Sequence, residues 1–189
     1  TPVDNVSDFD LTRILGVVKK PVLIIGSLGT RLKLRDYLED LALPVMTTVA
    51  AKGIINEEHP YAGGIFTGAG LVDAPERSIL GQADIVLGIG IRLNEILNQS
   101  PDIENVINFD TVTIPAERDS KINTLCVDKT TIIDLLEKLK TFEWGKSHVD
   151  SSKKRLLELS SSNDFLPWNV YQILQSSLPK NTRYILDTG

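Results

Sequence analysis

Small and charged residues follow several short apolar runs of the sequence, and their side chains could bind a nucleotide. Arg92 lies two positions after the end of Gly88-Ile89-Gly90, and Asp110 and Asp128 each follow another apolar run. An arginine guanidinium can hydrogen-bond a phosphate at two points or stack on a flat ring. A carboxylate can accept hydrogen bonds from ribose hydroxyls or an adenine amino group, and glycine lets the backbone approach a pyrophosphate. The sequence therefore predicts a nucleotide-type pocket.

Each of these residues also has a structural interpretation. Arg92 could form an ion pair with Glu95 or Asp110, and the two aspartates could cap the turns that follow their strands. Glycine is also common where a strand turns tightly into a helix. Both interpretations stay open at this point.

The apolar runs themselves predict the fold. Six short runs are typical of strands buried on both faces, at 21–25, 44–48, within 62–70, and at 85–87, 106–109 and 124–127. Helical patterns separate most of them, which predicts right-handed βαβ crossovers. The expected fold class is α/β, a doubly wound six-stranded parallel sheet flanked by helices and Rossmann-like. In such sheets the carboxyl ends of the strands form the crevice where ligands bind.

The helix starts are predicted from capping residues. Thr30 is expected to cap the helix after the first strand, and Asp73 to begin a helix whose apolar face includes Ile79. Thr130 or Thr131 is expected to cap the helix after the sixth strand.

Composition argues against several classes of function. The net charge is −5, the pI is near 5.1, and the longest basic run is Lys153-Lys154-Arg155. Nucleic acids and anionic membranes both favour a basic surface, so neither is an expected partner. The chain has one cysteine and no apolar run long enough to cross a bilayer. We therefore expect a cytoplasmic protein.

Motifs for catalysis and metal binding are missing from the sequence. No Gly-x-Gly-x-x-Gly follows the first strand, and there is no Walker A sequence. Ser27 lacks the Gly-x-Ser-x-Gly context of a hydrolase nucleophile. His59 and His148 lie far apart, without the spacing of a metal site. We expect no catalytic and no metal-binding residue in this chain.

Several segments together resemble a known family. They are Pro21-Val22-Leu23-Ile24-Ile25-Gly26, Pro44-Val45-Met46-Thr47-Thr48, Ala51-Lys52-Gly53, Glu58-His59-Pro60, Ala83-Asp84-Ile85-Val86-Leu87-Gly88-Ile89-Gly90, Arg92-Leu93-Asn94 and Val106-Ile107-Asn108-Phe109-Asp110. In order and spacing they resemble the central domain of thiamine-diphosphate-dependent enzymes of the acetolactate synthase, pyruvate oxidase and pyruvate decarboxylase superfamily. The resemblance covers about residues 12 to 140.

The resemblance implies a larger enzyme. Thiamine diphosphate and magnesium would bind on domains outside this chain, and the intact enzyme would be a lyase or transferase that decarboxylates a 2-oxo acid. The chain alone is then expected to be inactive. Its role would be a scaffold between the two thiamine-binding domains, with a groove for FAD or an ADP-type nucleotide. By position, the residues that would line this groove are Gly26, Ser27, Thr48, Val49, Gly90, Arg92, Asp110, Thr111 and Asp128.

Two positions depart from the pattern of flavin-binding members. The first turn reads Gly26-Ser27-Leu28-Gly29 instead of a run of glycines, and Asp110 begins Asp-Thr-Val instead of Asp-Ile-Asp-Pro. Decarboxylase-type members have the same domain without a flavin and use it as a packing and regulatory scaffold. A purely structural or regulatory domain with no nucleotide is therefore the alternative function.

The resemblance also predicts how the chain is divided. Residues 1–11 are expected to be a linker from an N-terminal domain, 12–143 the central domain, 144–165 a second linker, and 166–189 the start of the pyrophosphate-binding domain. Tyr184 to Gly189 would form that domain's first strand. The expected partners are the N- and C-terminal domains of the same polypeptide, in an intact homodimer or homotetramer.

Overall fold

A six-stranded parallel sheet organises the computed structural model, which describes residues 8–69, 74–98, 103–104, 106–113, 121–160, 165 and 167–184. The strands are β1 (Pro21–Ile25), β2 (Val45–Thr47), β3 (Ala62–Ile65), β4 (Ile85–Ile89), β5 (Val106–Asp110) and β6 (Ile122–Cys126). Their order is β3-β2-β1-β4-β5-β6, and every neighbouring pair is parallel. This is the doubly wound order, in which the direction of winding reverses between β1 and β4. The predicted fold class is confirmed.

The central strands are apolar because helices cover both faces of the sheet. Along β1, Leu23 and Ile25 belong to one hydrophobic cluster, and Val22 and Ile24 belong to another on the opposite face. Strand β4 is likewise buried at all five positions. Successive side chains of a strand point to opposite faces, so an unbroken apolar run is needed where both faces are covered.

Seven helices accompany the sheet within the described residues. They are α1 (Asp8–Leu15), α2 (Ser27–Leu32), α3 (Arg35–Leu38), α4 (Pro75–Leu80), α5 (Lys129–Leu139), α6 (Lys146–Ser160) and α7 (Pro167–Ser177). The predicted helix after β1 is in fact two short helices, separated where Lys33 adopts a left-handed conformation with φ 58°. Thr30 therefore lies inside α2, and the N-cap position belongs to Gly26.

The start of α5 also differs from the prediction. Asp128, and neither Thr130 nor Thr131, is the N-cap residue, because its carboxylate accepts a hydrogen bond from the backbone N–H of Thr131. Helix α4 has Ala74 at its N-cap position and Pro75 in its first turn. The predicted helix start at Asp73 lies outside the described residues.

Helix α6 (Lys146–Ser160) occupies most of the segment 144–165 that is predicted to be a linker. The sequence indicates only a short helical stretch near residues 155–159, whereas α6 spans 15 residues. Its Val149 is fully buried, and the indole N–H of Trp144 just before it donates to the carbonyl of Pro21 at 2.6 Å. Lys153 donates to the carbonyl of His59 at 3.3 Å. This helix therefore packs against α4 and β3 of the central domain. The domain boundaries at 11, 143 and 165 stay predictions.

Helix α7 begins at Pro167 and exposes large apolar side chains that include Trp168, Tyr171 and Ile173. Tyr184, the last described residue, is not in a strand, and the rest of the predicted terminal strand lies outside the described residues. Among the residues that the structure describes, no helix is long and apolar enough to cross a membrane.

Candidate functional site

The carboxyl edge of the sheet brings Gly26, Ser27 and Gly90 together where the winding direction reverses. Ile25 ends β1 and pairs with Ile89 at the end of β4, so the turns that follow lie side by side. The backbone N–H of Gly26 donates to the carbonyl of Ile89 at 2.9 Å. In sheets of this order the reversal point is where a dinucleotide would enter.

Two glycines pack against each other at this point. A Cβ atom added to Gly26 would lie 1.9 Å from the carbonyl oxygen of Gly90. Gly90 has φ +67°, and a Cβ added there would lie 2.2 Å from the Cβ of Leu28. Glycine is therefore required at both positions by contacts within the chain. The side chain of Leu28, which is buried, fills the space above Gly90.

A carboxylate from the loop after β4 occupies the start of α2. Oε2 of Glu95 accepts the backbone N–H of Ser27 at 2.9 Å and the hydroxyl of Thr48 at 3.0 Å. Oε1 of Glu95 accepts a short hydrogen bond from the hydroxyl of Ser27. Because Ser27 follows β1, Thr48 follows β2 and Glu95 follows β4, this side chain joins the ends of three adjacent strands. We call these three residues the Glu95 cluster.

Thr48 and Val49 have different environments although they are adjacent. Thr48 is fully buried, and its N–H donates to the carbonyl of Ile25 at 2.9 Å. Val49 begins a short 3-10 turn (Val49–Ala51), and its side chain is exposed. Thr48 thus belongs to the packed edge of the sheet, whereas Val49 lies on its surface.

Arg92 and Asp110 form an ion pair, which is one of the structural alternatives that the sequence left open. Nη2 of Arg92 lies 3.3 Å from Oδ2 of Asp110, and Nε lies 3.4 Å from the same oxygen. The Asp110 side chain is fully buried and also accepts the N–H of Val112 at 3.1 Å. The Arg92 side chain is 28% exposed. A buried carboxylate needs such partners, because leaving it unpaired would carry a large desolvation cost.

Asn108 is a buried polar residue within β5 that the sequence analysis did not single out. Its Oδ1 accepts the N–H of Ile91 at 2.9 Å, and its Nδ2 donates to the carbonyl of Ile91 at 3.2 Å and to the hydroxyl of Thr124 at 3.1 Å. The amide therefore holds the chain beyond β4 as a neighbouring strand would. This fixes the position from which Arg92 reaches Asp110.

Asp128 acts as a helix cap. Its Oδ1 accepts the N–H of Thr131 at 2.8 Å and the hydroxyls of Thr130 and Thr131 at 2.7 and 2.8 Å. These hydrogen bonds, chiefly that from the Thr131 backbone, lower the pKa of Asp128 below its ordinary value of 3.8. Thr111, the remaining predicted site residue, is half-buried in the bend after β5.

A second carboxylate holds the loop after β3. Buried Glu76 of α4 accepts the N–H of Gly68 at 3.2 Å and the hydroxyl of Thr67 at 2.8 Å. The carbonyl of Thr67 in turn accepts the N–H of Leu97 at 3.0 Å. The loops after β3 and β4 are therefore tied together on one side of the Glu95 cluster.

These contacts do not fit a pyrophosphate at the reversal point. The first backbone N–H of α2 already donates to a carboxylate of the same chain, and Leu28 packs on the glycine that would otherwise leave room for a ligand. A phosphate placed there would face the negative charge of Glu95 at close range, which is unfavourable. The geometry thus favours the structural interpretation of Gly26, Ser27, Thr48 and Gly90.

Two cavities among the described residues lie away from this point. One of about 360 Å³ lies between α4 and the sheet, near Phe66, Leu80 and Val86. Another of about 570 Å³ lies near α1, with Ile14 and Ile107 in its wall. No group of three or more His, Cys, Asp or Glu side chains in the described part of the chain could hold a metal ion.

Comparison with known proteins identifies the relatives of this chain. The sequence model of the family described as "Thiamine pyrophosphate enzyme, central domain" matches residues 10–131. A 3D-(3,5/4)-trihydroxycyclohexane-1,2-dione hydrolase of Bacillus cereus is 26% identical over 167 residues, which are 82% of this chain and 24% of that protein. The thiamine metabolism regulatory protein THI3 of Saccharomyces cerevisiae is 34% identical over 93 residues, which are 45% of this chain and 15% of THI3.

A solved structure is also similar to this chain. It is an X-ray structure of a Mycobacterium smegmatis protein described as thiamin diphosphate-dependent, with a TM-score of 0.49 and 16% identity, covering 71% of this chain and 27% of the other. The chain spans about a quarter of the Bacillus relative's length.

Proposed function

The chain belongs to the family of thiamine pyrophosphate enzyme central domains, and from this premise we propose that it is a structural central domain without a bound nucleotide. The observation that carries the proposal is the Glu95 cluster, in which a carboxylate of the chain itself takes the hydrogen bonds at the start of α2. FAD or an ADP-type nucleotide would have to displace it. The family alternative of a flavin-free scaffold therefore fits this chain better than a nucleotide groove.

The role of such a domain is positional. The Glu95 cluster joins the ends of β1, β2 and β4, and the Arg92–Asp110 ion pair joins the ends of β4 and β5. Hydrogen bonds between strand ends make the carboxyl edge of the sheet rigid without any ligand. A rigid central domain can hold the two thiamine-binding domains of the intact enzyme at a fixed separation.

We propose that the intact protein acts on a compound with two adjacent carbonyl carbons. Thiamine diphosphate supplies stabilisation of a carbanion next to a former carbonyl group when it is bound. The 2-oxo acids that the family resemblance implies carry a carbonyl beside a carboxyl group, and the substrate named for the Bacillus relative is a 1,2-dione. Both are vicinal dicarbonyl compounds. The decarboxylase, acetolactate synthase-like and hydrolase reactions would therefore all act on substrates of this one class.

The absence of a nucleotide can be tested by binding. Thermal unfolding of the chain would be measured with FAD, ADP or coenzyme A, each well above micromolar concentration. A ligand that binds the folded state alone at one hundred times its Kd would add about 2.7 kcal/mol to the free energy of unfolding. We expect no rise in Tm with any of the three. A saturable rise that disappears in Arg92→Gln would instead support the nucleotide groove.

A further inference from the structure

A basic pocket lies on the helical layer between α2, α3 and the turn after β2. It has a volume of about 290 Å³, and its wall includes Lys33, Arg35 and Lys52 together with Thr30 and Gly53. Buried Leu34 and Ile54 form its apolar floor. The wall thus contains three cations and no acidic residue, in a chain with a net charge of −5.

The pocket is held in shape by contacts within the chain. The guanidinium of Arg35 donates from Nη2 to the carbonyl of Gly53, across 18 positions of sequence. Lys52 forms an ion pair with Glu57, which lies outside the pocket wall, and both side chains are about half exposed. Lys52 thus already has a carboxylate partner that a phosphate would share or displace, whereas the Arg35 contact limits the freedom of that cation before any ligand arrives. Such preorganisation lowers the entropic cost of binding.

Lys33 occupies a position where glycine would be more stable. It has φ 58° at the end of α2, and the backbone N–H groups of Lys33 and Leu34 donate to the carbonyls of Thr30 and Gly29. This is the Schellman pattern, in which the left-handed residue is usually glycine. A non-glycine residue at positive φ is a starting point for a functional hypothesis. Lys33 is destabilising at this backbone conformation, but its side chain adds a positive charge to the pocket.

We propose that this pocket binds the phosphate group of a small molecule. Arginine and lysine are the usual partners of phosphate, because they combine positive charge with several N–H donors. Thr30, in the same wall, carries a hydroxyl, which is a neutral donor. The pocket shares no residue with the Glu95 cluster or the Arg92–Asp110 pair, so this inference does not depend on the proposed function.

The test is a titration of the ¹⁵N-labelled chain followed by two-dimensional NMR. Inorganic phosphate and a phosphomonoester such as glycerol phosphate are added separately, each against sodium chloride at the same ionic strength. We expect saturable shifts of the amide signals of residues 30–35 and 52–54 with a phosphate compound and none with chloride. Tighter binding of the ester would identify a phosphorylated metabolite as the ligand, and equal binding would identify free phosphate. The same response in chloride, or no saturable response to either phosphate compound, would overturn the proposal.

Charge-matched variants make the test specific. Lys33→Gln/Lys52→Gln removes two cations from the pocket, and Lys146→Gln/Lys154→Gln removes two from α6, where each lysine has an acidic partner one turn further on. We expect the first pair to weaken phosphate binding about tenfold or more, and the second to leave it unchanged. Equal affinity in both double variants would show a non-specific charge effect. Lys33→Gly should weaken binding while raising Tm, which separates loss of the site from loss of the fold.

Discussion

The carboxylate of Glu95 accepts the backbone N–H of Ser27 at 2.9 Å, although 68 positions separate the two residues in the sequence. The N–H of Ser27, which a phosphate at this point would need as a donor, is thus already bonded to a loop of the same chain. It also connects the two strands between which the winding of the sheet reverses. The side chain that we propose excludes a nucleotide from this point therefore also contributes to the stability of the domain.

Replacing Glu95 by alanine is expected to destabilise the chain by about 1–3 kcal/mol. The hydroxyl of buried Thr48 and the N–H of Ser27 would lose their acceptor, and unsatisfied groups of this kind cost about that much each when water cannot reach them. Urea unfolding followed by circular dichroism measures the change. Glu95→Gln keeps one carbonyl oxygen as an acceptor, so we expect a smaller loss.

Glu58→Ala is the matched control for this prediction, because Glu58 is exposed and lies in a loop away from the sheet edge. Its replacement should change the free energy of unfolding by about 0.5 kcal/mol or less. Equal losses for Glu95→Ala and Glu58→Ala would mean that the Glu95 cluster does not stabilise the domain.

A glycine can be required by its backbone conformation or by lack of space for a side chain, and Gly90 and Gly53 allow these two reasons to be measured separately. Both have positive φ, but a Cβ on Gly90 would overlap Leu28 whereas a Cβ on Gly53 would meet no atom within 4 Å. Gly53→Ala should therefore cost only the conformational term, about 1–2 kcal/mol. Gly90→Ala should cost about 1–3 kcal/mol more, because overpacking is added. Chemical denaturation of the two variants checks the order, and a loss for Gly53→Ala as large as that for Gly90→Ala would contradict it.

The sheet was predictable from sequence for a physical reason. A strand buried on both faces must be apolar at every position, so runs such as Pro21–Ile25 and Ile85–Ile89 carry the information locally. The order of the elements along the chain then restricts the topology to right-handed crossovers. Only the part of helix α6 near residues 155–159 was predicted, because its sequence is rich in Lys and Ser and its burial rests on few side chains such as Val149.

The site was only partly predictable. Its location at the carboxyl edge follows from the topology, and Arg92 with Asp110 was among the pairs that the sequence suggested. Glu95 as a partner of Ser27 was not foreseeable, because nothing near Glu95 in the sequence indicates a contact 68 positions away. Asn108 did leave a signal. A polar residue inside an apolar strand must find hydrogen-bond partners, and it could have been singled out on that ground.

Asp128 predicts a dependence of stability on pH. Its pKa is lowered in the folded chain by the hydrogen bonds from Thr131 and Thr130, so the folded state holds the ionised form more strongly than the unfolded state does. The resulting stabilisation is fully present above the ordinary pKa of 3.8 and is lost as the pH falls through the folded-state pKa. The difference in unfolding free energy between the wild type and Asp128→Asn should therefore shrink below about pH 4.

The variants Asp128→Asn and Asp128→Ala separate the contribution of the Asp128 charge to stability from the contribution of its capping hydrogen bond. Asparagine caps a helix about as well as aspartate, whereas alanine cannot accept the N–H of Thr131. At pH 7 we expect the wild type to be at least as stable as Asp128→Asn, and Asp128→Ala to be the least stable of the three. A pH-independent difference between wild type and Asp128→Asn would refute the role of the lowered pKa.

Helix α6 is expected to unfold together with the central sheet and not as an independent linker. Val149 is fully buried, so Val149→Ala removes two methyl groups from packed surroundings and should cost about 1.5–3 kcal/mol. Val170 of α7 is 41% exposed, and Val170→Ala should cost about 0.5 kcal/mol or less. Hydrogen exchange followed by mass spectrometry provides a second readout: amides of 146–160 should be protected about as well as those of the sheet in the wild type, and less in Val149→Ala. Rapid exchange of these amides in the wild type would show that α6 is not part of the packed domain.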